Sequence, residues 1–206
     1  MGRFIVFEGG EASGKSTQSI RLARRLGALH TREPGGTAIG AALRSLLLDA
    51  RTTGLDDRAE ALLMAADRAQ HVAELVRPAL TAGRHVVSDR YIGSSLAYQG
   101  YGRGLPVVGL RRISEWATEN LWPDLVVLLE VPPDVAADRR SGRPDRMEAA
   151  GADFHARVAK GYRALAAAYA DHWVVVDGTG DPDEVTARVW QAATSRLPDL
   201  AEATRP

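Results

Sequence analysis

Five short apolar runs, separated by longer stretches with helical periodicity, constrain the fold of this chain more than any other feature. Most are almost continuously apolar, as in strands covered on both faces, and they lie at residues 4–8, 29–32, 85–88, 125–131 and 173–176. Helical patterns fill the remaining intervals, at residues 15–26, 39–48, 57–82, 92–99, 108–120, 134–141, 154–170 and 182–195. This alternation predicts an α/β fold with a parallel sheet and right-handed crossovers. Pro78 lies inside the longest helical pattern, so we expect that helix to kink or restart there.

Composition is that of an ordinary globular protein. The chain has 206 residues, of which 45% are hydrophobic, and we expect a single domain over residues 1–206 with a frayed tail at about 197–206. Lys plus Arg and Asp plus Glu both number 26, so the broad positive field of a nucleic-acid-binding protein is absent. There is no cysteine, and the five histidines lack ligand spacing, so we expect neither a disulfide nor a transition-metal site.

Localisation is constrained by the apolar runs and by the start of the chain. The longest runs are far too short to cross a bilayer. The opening stretch MGRFIVFE enters a strand pattern directly and does not resemble a signal peptide. We therefore expect a cytoplasmic protein with neither a membrane nor a nucleic acid as partner.

The stretch VFEGGEASGKST, at residues 6–17, carries the first chemical signal. It matches the phosphate-binding pattern G-x-x-x-x-G-K-[ST], with a strand before it and an amphipathic helix after it. Backbone N–H groups at the start of that helix favour an anion, Lys15 can reach the outer phosphates, and the Ser16 hydroxyl suits a Mg²⁺ ligand position. A chance match in a glycine-rich turn is the alternative, and the flanking strand and helix make it the weaker one. The predicted ATP-binding residues of this loop are Gly9, Gly10, Glu11, Ala12, Ser13, Gly14, Lys15, Ser16 and Thr17.

Switches, motors, pumps and kinases share this loop, and the arginines favour a kinase. The guanine-specifying tetrapeptide N-K-x-D is missing from the sequence. Arginines instead occur in several separate segments, as a kinase needs in order to hold an acceptor phosphate and to counter the charge that develops during transfer. They are Arg32, Arg44, Arg68, Arg90, Arg143 and Arg146. A glycine-rich stretch at 100–106 is expected to be a mobile loop, and a basic stretch at 139–148 lies between two helical patterns.

Four segments together resemble thymidylate kinases, in particular the bacterial subgroup. They are EGGEASGKST at 8–17, TREPGGTAIGAALRSLLL at 31–48, AADRAQHV at 65–72 and DRYIGSSLAYQGYGRG at 89–104, and DRME at 145–148 is a weaker match. The resemblance implies a three-layer P-loop NTPase fold with a five-stranded parallel sheet and a short Arg-rich lid at about 140–150. It also implies Mg²⁺-dependent transfer of the ATP γ-phosphoryl group to dTMP, with dTDP and ADP as products, and a homodimer.

The resemblance assigns the residues on which the two phosphates would meet. Asp89 would join Ser16 in the Mg²⁺ shell; its alternative role is to cap the helix that follows. Arg90 would grip the acceptor 5′-phosphate, with Arg44 as a second donor, since a planar guanidinium fork can make two parallel bonds to phosphate oxygens. A solvated helix face is the alternative for Arg44.

The remaining acceptor residues would contact the base and the sugar. Arg68 would hydrogen-bond thymine O4, although by sequence alone it could be a surface arginine. Tyr98 would crowd the sugar 2′ position, with simple core packing as its alternative. The resemblance adds Ser94, Ser95 and Gln99 from the same helix, and Glu33 and Pro34 from a loop in which we expect a cis Glu33–Pro34 peptide.

Two departures from the family pattern bear on function. Met64 occupies the position where thymidylate kinases usually place an aromatic residue against thymine, so we expect a looser base site. The phosphate loop carries Glu11 and no arginine, so the catalytic arginine is expected in the lid, as Arg143 first and Arg146 second, with Arg139 flanking adenine. A solvated basic loop is the alternative for these arginines.

Three other functions stay open at this point. One is a kinase acting on another nucleoside or nucleoside monophosphate. Another is a regulator that hydrolyses ATP slowly and changes partners, which predicts nucleotide binding without acceptor-dependent ADP release. The third is an inactive scaffold.

Overall fold

The computed structural model describes residues 2–140 and 143–202, and its centre is one parallel sheet of five strands. The strands are β1 (Phe4–Glu8), β2 (Leu29–Arg32), β3 (Val86–Asp89), β4 (Leu125–Glu130) and β5 (Trp173–Asp177). They lie in the order β2-β3-β1-β4-β5. The predicted α/β class and five-stranded sheet are confirmed, and each predicted strand lies within one or two residues of the observed one.

Both faces of the sheet are covered by helices. All five residues of β1 are buried, with Phe4 and Val6 in one apolar cluster and Ile5 and Phe7 in the other. A strand that is buried on both faces has no polar side to show, which explains the continuous apolar runs. The helices α1 and α9 pack on one face, and α8 packs against the Leu96–Gly102 segment on the other.

The helices have the following bounds. They are α1 (Lys15–Leu26), α2 (Ala38–Leu48), α3 (Asp57–His71), α4 (Arg77–Thr81), α5 (Ile92–Ser95), α6 (Val107–Thr118), α7 (Pro133–Arg139), α8 (Ala152–Ala168), α9 (Pro182–Arg196) and α10 (Asp199–Glu202). A 3₁₀ turn covers Glu148–Ala150.

The long helical pattern at 57–82 is interrupted, as expected, but before the proline. A π-helical turn at Val72–Val76 separates α3 from α4, and Pro78 lies in the first turn of α4. Proline has no N–H to donate to the carbonyl four residues earlier, so the wider turn lets the chain continue without that bond.

The glycine-rich stretch at 100–106 is not entirely a loop. A π-helical segment, Leu96–Gly102, continues α5, and Gly100 and Gly102 are buried within it. A Cβ atom at Gly102 would come within 2.6 Å of the Phe154 ring. Glycine is needed there for close packing on α8, a reason that the composition of the segment did not reveal.

The end of the chain also differs from the expected frayed tail. Leu197 and Leu200 are buried, and Asp199 in α10 forms a 2.8 Å ion pair with Arg3. Residues 197–202 therefore pack on the domain, and residues 203–206 lie outside the described part of the chain. In the described part, none of the helices has the length and apolar character that a bilayer crossing requires.

Candidate active site

The phosphate loop joins β1 to α1 in the conformation that its glycines permit. Gly9 and Gly14 have φ of 146° and 93°, and Ala12 also has a positive φ of 58°. A Cβ atom at Gly9 would lie 2.4 Å from the carbonyl oxygen of Leu129, so only glycine fits beside β4. The first-turn N–H groups of α1 lie just beyond this turn, an arrangement that favours an anion in the loop.

Lys15 is buried at the start of α1. Its Nζ donates to the carbonyl oxygen of Gly10 at 2.6 Å. Burial, together with the charge of Arg90, lowers the pKa of Lys15 to about 8, although Glu11 and Asp89 oppose the shift. A phosphate bound in the loop would supply the negative charge that restores the ammonium form.

Asp89 lies at the carboxyl end of β3, beside the phosphate loop. In the sheet register it pairs with Phe7, two residues before that loop begins. Asp89 Oδ2 accepts a 2.5 Å hydrogen bond from the Ser16 hydroxyl, and Oδ1 is buried without a partner among the described residues. Tyr91, and not Asp89, precedes α5 as its N-cap, so the capping alternative is not realised. A hydroxyl and a carboxylate with a spare oxygen are the hard donors that Mg²⁺ prefers, and the two residues brought together fit a Mg²⁺ site that phosphates and water would complete.

Arg90 lies between the phosphate loop and the pocket beside that loop. Its φ is 74°, and its guanidinium donates to the carbonyl oxygen of Gly9 at 3.1 Å and to Glu11 at 2.6 Å. It also donates to the hydroxyl groups of Tyr98 and Tyr162, at 3.2 and 3.0 Å. Burial raises the pKa of Glu11, but the charges of Arg90 and Lys15 outweigh burial and lower it to about 2. One partly buried cation and one partly buried carboxylate thus lie where the loop meets the adjacent pocket.

The adjacent pocket, which we call the acceptor pocket, brings together the acceptor residues predicted from sequence. All ten of them line it, although they come from four separate parts of the chain. Glu11 lines it as well, which places this loop residue on the acceptor side. The arrangement follows from the parallel sheet, because the segments after β1, β2 and β3 all leave the same edge.

Arg68 is buried at the inner end of the acceptor pocket and is not a surface residue. Its Nε donates to Glu33 at 2.8 Å, and its Nη2 donates to the Ser95 hydroxyl at 2.9 Å and to the carbonyl oxygen of Tyr91 at 3.3 Å. Gln99 is also buried there and donates to Glu60 at 2.9 Å. Fixed donors and acceptors of this kind can distinguish one planar base from another.

The loop after β2 forms another wall of the acceptor pocket. The Glu33–Pro34 peptide is cis, which confirms the expectation from sequence. Arg44 is half-buried, and its Nη1 donates to the carbonyl oxygen of Pro34 at 2.9 Å, so it does not belong to a freely solvated helix face. The hydroxyl of Tyr98 donates to Glu11 at 2.6 Å, while its ring packs against Phe154. Tyr98 therefore packs in the core and also lines the pocket, and its contact with a sugar stays a prediction.

Comparisons with known proteins decide the family. A sequence model of the thymidylate kinase family matches residues 7–189. The chain belongs to the thymidylate kinase family. It is 48% identical to the thymidylate kinase of Solidesulfovibrio magneticus, over 91% of this chain and 96% of that protein. It is 46% identical to the thymidylate kinase of Bifidobacterium longum, over 97% of this chain and 99% of the relative. Among solved structures, thymidylate kinase from Ehrlichia chaffeensis superposes with a TM-score of 0.79 at 28% identity, over 93% of this chain and 98% of that chain.

The lid arginines of this thymidylate kinase family member are placed in different surroundings. Arg143 is exposed, and residues 141 and 142 lie outside the described part. Arg146 forms a 2.7 Å ion pair with the buried Glu60 and donates to the carbonyl oxygen of Leu47 at 2.7 Å. Arg139 donates to Gly178 and Gly180 carbonyl oxygens, in the loop after β5. The structure therefore does not bring Arg146 to the phosphate loop, and the catalytic roles of these arginines stay predictions.

Several buried carboxylates of the site were not predicted from sequence. Glu60 accepts from Gln99, Arg103 and Arg146, and its spacing from Met64 is one helical turn, which was the available signal. Glu8 accepts from the backbone N–H of Tyr91 and from the Tyr162 hydroxyl at 3.0 Å each. Its position inside an apolar strand hid it, because a strand residue shows nothing in sequence of what lies across the sheet.

Proposed function

We propose that this protein transfers the γ-phosphoryl group of ATP to dTMP, with dTDP and ADP as products, in dTTP synthesis. Family membership supports the reaction class and the substrates. The observation that carries the proposal in this chain is the position of Arg90. Its guanidinium lies within hydrogen-bond distance of a phosphate-loop carbonyl and also lines the acceptor pocket. Arg90 thus lies between the phosphate loop, where ATP is proposed to bind, and the acceptor pocket, where the phosphate of dTMP must approach it.

The reaction is a direct transfer with no covalent enzyme intermediate. The acceptor phosphate oxygen attacks in line with the leaving ADP, and the chain contributes position and positive charge. Lys15 holds the outer phosphates from the start of α1, and Arg90 with Arg44 orients the acceptor phosphate. Both guanidinium groups already have oxygen partners in the chain, at Glu11 and at the Pro34 carbonyl, so little side-chain entropy is lost on binding.

Mg²⁺ is the proposed cofactor, with Ser16 and Asp89 as its protein ligands. When bound, it would neutralise charge on the ATP phosphates. Asp89 keeps one buried oxygen without a partner in the described chain, which supports this role. The Ser16–Asp89 hydrogen bond holds both groups at the carboxyl edge of the sheet beforehand.

Base and sugar selection is proposed for the far end of the acceptor pocket. Arg68 has five N–H groups, and four of them have partners in the described chain. The remaining Nη1 N–H suits the O4 carbonyl of thymine. Tyr98, fixed by Glu11 and Arg90, is proposed to favour deoxyribose.

Lid closure, localisation and assembly complete the proposal. Arg143 is proposed to enter the site when the lid closes. Arg139, which donates to the Gly178 carbonyl oxygen in the loop after β5, is proposed to flank adenine. A cytoplasmic homodimer is proposed from the family resemblance, and the exposed apolar Ile39, Leu46 and Leu62 on the packed pair α2 and α3 are compatible with it. Molar mass in solution tests the assembly, and a monomer at micromolar concentration excludes it.

A coupled assay of ADP release tests the reaction. Purified protein is given ATP with dTMP, dUMP, UMP, CMP, AMP or GMP, each with and without Mg²⁺. We expect dTMP to give the highest kcat/KM and Mg²⁺ to be required. Higher activity with another acceptor would transfer the proposal to that kinase class, and ADP release independent of any acceptor would exclude a kinase.

A further inference from the structure

A buried network of hydrogen-bonded side chains extends from Arg68 in the direction away from the acceptor pocket. Glu33 Oε2 accepts from Arg68 Nε at 2.8 Å, and Glu33 Oε1 lies 2.7 Å from His71 Nδ1. His71 Nε2 lies 2.7 Å from the Thr31 hydroxyl. His71 is completely buried, and the side chains of Glu33 and Arg68 are each 3% exposed. Four polar groups from β2, its following loop and α3 therefore satisfy one another without solvent.

The donors and acceptors in this buried hydrogen-bond network follow from the chemistry of its side chains. An ionised Glu33 can only accept hydrogen bonds, so His71 Nδ1 must carry a proton. His71 Nε2 pairs with the Thr31 hydroxyl, which can both donate and accept, so each close contact in the network has a donor and an acceptor. Glu33 and Arg68 balance each other in charge, which a buried site requires.

We infer that His71 and Thr31 are positioning residues for acceptor-base recognition, acting through Glu33 on Arg68. The inference rests on the proposed function. Arg68 lines the acceptor pocket, and the Glu33 carboxylate helps to fix the orientation of its guanidinium, together with Ser95 and the Tyr91 carbonyl oxygen. Glu33 has three side-chain torsions, and its contact with His71 restrains them. His71 also packs under the loop that shapes the pocket, since a Cβ atom at Gly36 would lie 2.7 Å from its Cδ2.

Base selectivity is the readout that separates positioning from simple stability. Cytosine carries an amino group where thymine carries its O4 carbonyl, and a fixed Arg68 N–H can donate a hydrogen bond to the carbonyl oxygen but not to the amino group. A loosened Arg68 loses affinity for dTMP and gains nothing for dCMP. The ratio of kcat/KM for dTMP over dCMP should therefore fall, while the KM for ATP, which binds at the other end of the cleft, should stay within about twofold.

The test compares His71→Leu, His71→Asn, Thr31→Val and Thr31→Ser with the unmodified protein. We expect His71→Leu to lower the dTMP/dCMP ratio about tenfold, as removal of a partner of a buried charge does. His71→Asn keeps an N–H near the position of Nδ1 and should recover much of the ratio. Thr31→Val should lower the ratio less than His71→Leu, and Thr31→Ser should leave it unchanged.

His85→Leu is the matched control. His85 accepts a 2.9 Å hydrogen bond from the backbone N–H of Arg3 before β3, at the opposite edge of the sheet. Its loss should lower stability without changing the dTMP/dCMP ratio. Should His71→Leu fail to fold, the Thr31→Val and Thr31→Ser pair decides.

The outcomes also separate this inference from the proposed function. If the unmodified protein does not prefer dTMP, the proposed function fails. If it prefers dTMP and the folded His71 or Thr31 variants keep the same ratio, the positioning role is wrong. A parallel rise in the KM values for ATP and dTMP, with the ratio unchanged, would likewise reduce His71 to a structural residue.

Discussion

The phosphate loop and the acceptor pocket differ in how they are assembled. The loop is a continuous stretch whose geometry comes from glycines with positive φ and from the start of α1. The acceptor pocket collects side chains from the phosphate loop, from the loop after β2, from α2 and α3, and from the segment after β3. The first offers an anion backbone N–H groups, and the second offers side chains that are already paired with one another.

This difference predicts different responses to mutation. Backbone donors cannot be removed by a side-chain substitution, so the few side chains that matter in the loop should show large and isolated effects. Side chains of the acceptor pocket share partners, as Arg90 and Tyr98 share Glu11, so their effects should be smaller and coupled.

The largest effect is expected for Lys15→Met. Because Lys15 is proposed to counter charge on the transferred group, kcat should fall on the order of 10³-fold, with a smaller change in the KM for dTMP. Steady-state ADP release measures both. Lys160→Met is the matched control, since Lys160 is exposed on α8 and is the only other lysine of the chain. Equal activity of the two variants would contradict the role of Lys15.

A second comparison separates the two lid arginines. Arg143→Ala should lower kcat about 10²-fold with little effect on either KM, because the charge it brings is needed only during transfer. Arg146→Ala should instead lower the free energy of unfolding by about 1–3 kcal/mol, since it removes a partner of the buried Glu60. Thermal melting and kinetics on both variants measure this. The assignment is reversed if Arg146→Ala loses turnover and Arg143→Ala does not.

Met64→Phe addresses the base end of the acceptor pocket, and a moderate gain is expected. A ring at this position can stack on thymine, so the KM for dTMP should fall about two- to fivefold. Val108→Phe is the control, because Val108 is 65% exposed on α6 and does not line the pocket. An unchanged or higher KM in Met64→Phe would argue against thymine at this place.

The smallest effect is a proton taken up when ATP binds. The pKa of Lys15 is lowered to about 8 in the free protein, so most of this group is neutral at pH 8.5. Bound phosphates raise that pKa, and the complex therefore takes up a proton at pH 8.5 but hardly any at pH 6.5, where Lys15 is already charged. Titration calorimetry at pH 8.5, in two buffers with different ionisation enthalpies, measures the uptake. Uptake that persists in Lys15→Met would assign the proton to another group.

The phosphate loop could be predicted from the sequence more completely than the acceptor pocket. Residues 6–17 contain both the pattern and its flanking strand and helix, so local information was sufficient. Arg68 shows the limit on the other side, because its helix reads as an ordinary amphipathic surface. Only the family resemblance assigned it to the base, and only the structure shows that Glu33, Ser95 and Tyr91 bury and orient it.

Two predictions were wrong in part, the frayed tail and the glycine-rich loop, because tertiary contacts determine both segments. The tail at 197–202 looks polar enough to fray, yet Leu197 and Leu200 find apolar partners on α9 and the sheet face behind it. The glycines at 100 and 102 look like a loop, yet they serve close packing against neighbouring helices. In both cases part of the contact comes from residues far away in sequence, such as Ile5 and Phe7 for the tail and Phe154 for Gly102.

The amino-acid sequence by itself determined the alternation of strands and helices, the phosphate loop and the family, because each depends on spacing along the chain. The tertiary structure decided which carboxylate holds which arginine, that Glu11 faces the acceptor pocket, and that Arg146 is tied to Glu60. The physical reason is that a buried charge must be paired, and its partner is chosen by the packing of elements distant in sequence.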